Sequence, residues 1–100
     1  MTAAAPLPSA YLLEVYLPRT AADELPHAVS RARASAAQMR REGVQVRYVR
    51  AIFVPEDEIC LFVYEARSAD AVREVTRRAG IGFERLVEAV QVTAARPANR

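Results

Sequence analysis

The stretch Ile59-Cys-Leu-Phe-Val-Tyr-Glu-Ala66 decides the fold. It is apolar at nearly every position, rich in β-branched and aromatic side chains, and bounded by Pro55-Glu-Asp-Glu58 before it and Ser68 after it. Such a run reads as a strand between breakers. Alternate residues of a strand point to opposite faces. Here Cys60, Phe62 and Tyr64 form one apolar side, and Ile59, Leu61 and Val63 form the other. A strand of that kind belongs in the middle of a sheet.

Working outward, Ala10 to Leu17 repeats the pattern, with Tyr11, Leu13 and Val15 on one side and Leu12 and Tyr16 on the other, until Pro18 stops it. Thr20 offers a helix cap with Asp23 three residues on, an approximate capping box. Pro26 fits only a first turn, so the regular helix starts between Asp23 and Pro26. Its apolar stripe is Leu25, Val29, Ala32, Ala36 and Met39, which leaves Arg31, Gln38 and Arg41 for water, and Gly43 ends it. Val44 to Val54 is the second strand, joined to the third by the Pro55–Glu58 turn. Ser68 caps a second helix carrying Val72, Val75, Thr76 and Ala79, which stops at Gly80. Arg85 to Val92 is the last strand.

The order βαββαβ suits a ferredoxin-like α+β domain, a four-stranded antiparallel sheet with both helices on one face. Right-handed crossovers give the strand order 4-1-3-2. The outer strands agree, since the second holds Gln45, Arg47 and Arg50 and the fourth holds Glu88 and Gln91. The division expected is a leader over 1–9, one domain over 10–93 and a tail over 94–100. Two helices cover one face only, yet the central strands are apolar on both. The uncovered face would be a large exposed patch, so the pattern predicts a homodimer, an α/β sandwich or barrel closed by the same face of a second copy.

A chain of 100 residues holds one such domain and no second core. No apolar run reaches the roughly 20 residues that span a bilayer, so no membrane partner is expected. The single cysteine fits a cytoplasmic setting. Fourteen basic against twelve acidic residues give a charge of +2. Every basic residue is Arg, interleaved with acids, which points away from a nucleic-acid partner. Three glycines form no phosphate-cradling loop, and with a single His no Ser/His/acid set can be assembled beyond chance.

Tyr11-Leu-Leu-Glu14, Val46-Arg-Tyr-Val-Arg50 followed by Phe53-Val-Pro-Glu-Asp57, Cys60-Leu-Phe-Val-Tyr-Glu-Ala66, Arg78-Ala-Gly-Ile81 and Val87-Glu-Ala89 together resemble a family of small bacterial ferredoxin-like proteins. One described type of that family is a nickel-binding protein. The resemblance runs from about Tyr11 to Val92 and implies a dimeric α+β sandwich and binding of nickel or another divalent ion. The metal donors this chain offers are His27, in the first helix turn, and Cys60, inside the third strand. Nickel sites converge several imidazole, thiolate or carboxylate ligands, and no paired His or Cys spacing occurs here. His27 otherwise reads as a surface histidine, and Cys60 as a buried thiol.

The strand acids are the other chemistry-bearing residues. Glu14, Glu65 and Glu88 interrupt apolar strands. If Glu14 and Glu88 share a face between neighbouring strands, their repulsion raises one pKa into the range of general acid–base work. Tyr16 and Tyr48 would then add hydroxyls, and Arg47 and Arg50 would hold an anionic group. The simpler reading pairs each Glu with an Arg of an adjacent strand. Two functions follow: a dimeric binding module for a small ligand or metal ion, or a small enzyme acting on an apolar carbonyl-bearing substrate.

Overall fold

A computed structural model describes residues 9–92. The elements run β1 (Ser9–Tyr16), a 3-10 turn (Arg19–Glu24), α1 (Leu25–Arg41), β2 (Val46–Val54), β3 (Ile59–Ala66), α2 (Ala69–Ala79) and β4 (Arg85–Ala89). The sheet is antiparallel in the order β2-β3-β1-β4, so the two apolar strands are central, as the pattern predicts. Apart from Ser9, which opens β1, the expected leader and tail lie outside the described residues. No helix among those residues is long and apolar enough to cross a membrane.

Local chemistry explains most boundaries. Ser68 accepts a hydrogen bond from the Ala71 amide at 3.2 Å and starts α2. Both helices end in the same glycine motif. Gly43 (φ 92°) and Gly80 (φ 68°) adopt the left-handed region, and the residues after them donate back to Met39 and Thr76 carbonyls. Thr20 caps nothing. Pro18 opens a 3-10 turn with no side-chain cap, Thr20 lies inside it, and the α-helix begins only at Leu25 with Pro26 in its first turn. β4 ends at Ala89, before the expected Val92.

The core lies between the sheet and the helices. Leu13, Phe62 and Tyr64 on the central strands meet Ala32, Ala36 and Met39 of α1 and Val72 and Val75 of α2. The small residues of α1 let it sit close to the sheet beside two aromatic rings. Tyr48 packs edge-on to Phe62 and Tyr64, with ring centroids 6.4 and 5.8 Å apart. Thr76, inside α2, satisfies its buried hydroxyl by donating to the Val72 carbonyl at 2.7 Å.

Candidate functional site

Register separates the expected residues. Tyr11 pairs with Glu88 and Tyr64, and Leu13 with Leu86 and Phe62, so Glu88 stands on the helix-covered side at the exposed edge of β4. Glu14 pairs with Leu61 and Arg85, on the opposite side. Glu14 and Glu88 therefore share no face, which corrects the paired-carboxylate expectation. Because side chains alternate, carboxylates at an odd offset in register cannot meet. Glu14 instead accepts from Arg85 at 3.0 Å. Glu65 accepts from Arg47 across the β2–β3 pair and from Gln91, and these hydrogen bonds hold its carboxyl below the ordinary value.

The uncovered face is framed by those ion pairs. Between them lie Leu12, Ile52, Ile59, Leu61, Val63 and Val87, which alternate away from the helices. Ile52 is 45% exposed, and most of its neighbours are half-buried by one another. Arg50 reaches this face through a β-bulge between Tyr48 and Arg50 that shifts the β2 register. Tyr48 points the other way, under the helices. There, burial raises its hydroxyl pKa, and it lines a shallow depression of about 360 Å³ with Arg33, Arg40 and Arg47.

Another concavity lies at the other end of the molecule. It is a cleft of about 500 Å³ where the C-terminal ends of β1 and the start of β3 meet the first turns of α1 and the Gly80-Ile81-Gly82 turn. Val15, Leu17, Leu25, Phe62 and Ile81 make apolar walls. Glu24, the N-cap of α1, and His27 and Arg31 within it line the cleft together, spaced three and four residues apart. Tyr16 and the Cys60 thiol complete the lining. The two metal candidates of the sequence are thus brought to one cleft, His27 exposed at the rim and Cys60 1% exposed in the floor.

Arg31 is exposed, as the sequence predicts, but it makes a contact that sequence reasoning missed. Its Nε donates to the Ala79 carbonyl at 2.8 Å. Ala79 is the last residue of α2, and helix C-termini leave carbonyls without intrahelical partners and favour a cation. An arginine off the apolar stripe of α1 looks solvated until α2 is placed beside it.

A nickel site is tested by the donor set. Among the described residues no group of three or more His, Cys, Asp or Glu is placed to hold a metal ion. Burial raises the Cys60 pKa, so its sulfur is a neutral thiol, a poor ligand beside a thiolate. His27 and Glu24 remain, and two donors on an exposed rim do not make a strong site. The described residues of one protomer do not fit a tightly held nickel ion.

The fold and cleft define a small ferredoxin-like α+β protein with a cleft of mixed apolar and polar lining. Residues 11–89 match the nickel responsive protein SCO4226-like family, and the chain belongs to that family. It is also similar to the crystal structure of SCO4226 from Streptomyces coelicolor A3(2), with a TM-score of 0.66 and 19% identity over 84% of this chain and 99% of that one. At that identity the likeness establishes the shared fold. No curated protein sequence matches the chain.

Proposed function

We propose that the protein is a homodimeric binding module that holds a small, largely apolar organic ligand in the cleft of each protomer. The cleft carries the reading: about 500 Å³ of space with apolar walls and a few convergent polar groups is the common form of a small-molecule site. Pairing of uncovered sheet faces is supported by the apolar strip from Leu12 to Val87, bordered by two ion pairs and by Arg50 on the edge strand β2. Nickel is named by the family. We infer that in this chain an ion is a weak ligand at His27 and Glu24 unless a second protomer adds donors.

The acid–base enzyme is the weaker reading, because Glu14 and Glu65 are engaged by arginines and Glu88 stands alone at an edge. The test is a titration with a neutral bicyclic alcohol, followed by amide chemical shifts. Perturbations should concentrate on 15–17, 24–31 and 80–82. A response spread over the surface, or none, refutes the cleft.

A further inference from the structure

Arg31 is fixed in a way no other polar group of the cleft is. Its Nε is tied to the end of α2, and among the described residues no acid or other acceptor engages its Nη atoms. Two donor nitrogens of a planar fork therefore belong to a residue lining the cleft with their capacity unspent. Glu24, seven residues earlier, lines the same cleft, but its side chain makes no hydrogen bond among the described residues. A preordered donor loses less freedom on binding than a solvated, unrestrained carboxylate. The rim thus favours an anion at the Arg31 end.

The rest of the lining limits that anion. Walls of Leu25, Phe62 and Ile81 ask for an apolar body. A second negative charge would face Glu24 on the same rim, so a dianion is disfavoured. Carboxylate geometry matches a guanidinium fork through two parallel hydrogen bonds. Resting on the cleft reading, we propose that the ligand is an apolar monocarboxylate, its ring or chain between Leu25, Phe62 and Ile81 and its carboxylate on Arg31.

The opposite wall provides an independent control. Gly80 needs its positive φ, but Gly82 does not, and a Cβ added at Gly82 meets nothing within 4 Å. Gly82 lines the cleft, so Gly82→Leu adds a side chain to open space at its wall without backbone strain.

Three probes with one body separate the head group from the cavity: 1-naphthaleneacetate, 2-(1-naphthyl)ethanol and 2-(1-naphthyl)ethylamine, titrated by calorimetry at neutral pH. The acetate should bind about 10-fold tighter than the alcohol, as a charge-assisted bidentate pair contributes at a partly exposed site. The amine should bind no tighter than the alcohol. Gly82→Leu should weaken all three, and Arg31→Met should bring the acetate to the level of the alcohol. Arg31→Lys, which keeps the charge and loses the fork, should retain only part of the preference, and serves alone if Arg31→Met melts too early. Alcohol binding that Gly82→Leu abolishes, with no acetate preference, overturns the carboxylate assignment and leaves the cleft standing. Failure of all three probes removes the cleft and this assignment together.

Discussion

Leu12 and Leu13 are adjacent leucines on the same central strand, and the same substitution at each should give opposite outcomes. Leu13 is 0% exposed and packed in the core, whereas Leu12 points from the uncovered face, half-buried between Val63 and Val87. Leu13→Asp removes a core leucine, at about 2–5 kcal/mol, and leaves an unpaired buried carboxylate at several kcal/mol more. The sum matches the whole stability of a domain this size, roughly 5–15 kcal/mol, so the variant should be unfolded. Leu12→Asp in a lone protomer keeps its carboxylate in water and should cost about 1–2 kcal/mol. In a dimer the change occurs twice, and each copy forfeits burial and strands a charge. Together that is about 6 kcal/mol or more, above a 10⁴-fold rise in dissociation constant. Light scattering after size exclusion, with circular dichroism for the fold, reads both. Wild type should show twice the chain mass, Leu12→Asp a folded monomer, and Leu13→Asp no folded species. A monomeric wild type, or a Leu12→Asp that keeps the wild-type mass, refutes pairing through this face.

Calorimetry with nickel on tag-free protein should show no tight saturable site, and a submicromolar site lost in His27→Ala would overturn the donor argument. Tyr64→Phe should be neutral or stabilise by about 1 kcal/mol, because the Tyr64 hydroxyl is buried without a hydrogen-bond partner among the described residues; a loss above ~1 kcal/mol in chemical denaturation means that the hydroxyl is engaged. Arg78 bridges α2 to the end of α1 by bonding Glu74 at 2.8 Å and Glu42 at 2.9 Å. Arg77 and Arg78 hold the Glu74 carboxyl down to about 2, and Arg78 lowers that of Glu42. Carboxyls lowered in the folded state contribute stability above their unfolded value near 4.5 that fades as pH falls toward about 2. Urea midpoints should drop across that window, less steeply for Arg78→Met and at high salt, since these groups are exposed; identical slopes in wild type and variant would count against the bridge.

How much was legible follows from where each signal resides. β3 is read from its sequence alone to the residue, Ile59 to Ala66, because Pro55–Glu58 and Ser68 bracket an unbroken apolar run. The start of α2 at Ser68 and its stop at Gly80 are local hydrogen-bond chemistry, visible in the residue types. Central placement of β1 and β3 follows from their two apolar sides. The relation of Glu14 to Glu88 was not legible, since it depends on the β1–β4 register, which no turn of fixed length sets. Arg31 was lost for a similar reason: its partner is a carbonyl 48 residues away, and a backbone oxygen has no signature in a sequence. The meeting of His27 and Cys60 in one cleft belongs to the same class. Their elements are neighbours only once the sheet order is known.

The division between what the family shares and what this chain does with it has a physical basis. The determinants of the fold are the central strands, the two glycine-ended helices and the apolar stripes, all buried or backbone-bound. The rim of the cleft is different: Glu24, His27 and Arg31 are exposed positions on one helix edge. Substitution at exposed positions usually changes stability by no more than ~0.5 kcal/mol. A rim can therefore change its donors while the sandwich beneath stays the same, and a shared fold then carries no shared ligand. Arg31 is the exception that makes the rim of this chain informative. Its Nε donates to the end of α2 and the residue lines the cleft, while its Nη atoms have no partner among the described residues, so one side chain is held by the fold and remains open to a ligand. Loss of the guanidinium should register both in the melting of α2 and in head-group preference. A histidine or glutamate on the same rim, with no such anchor, should register in binding alone.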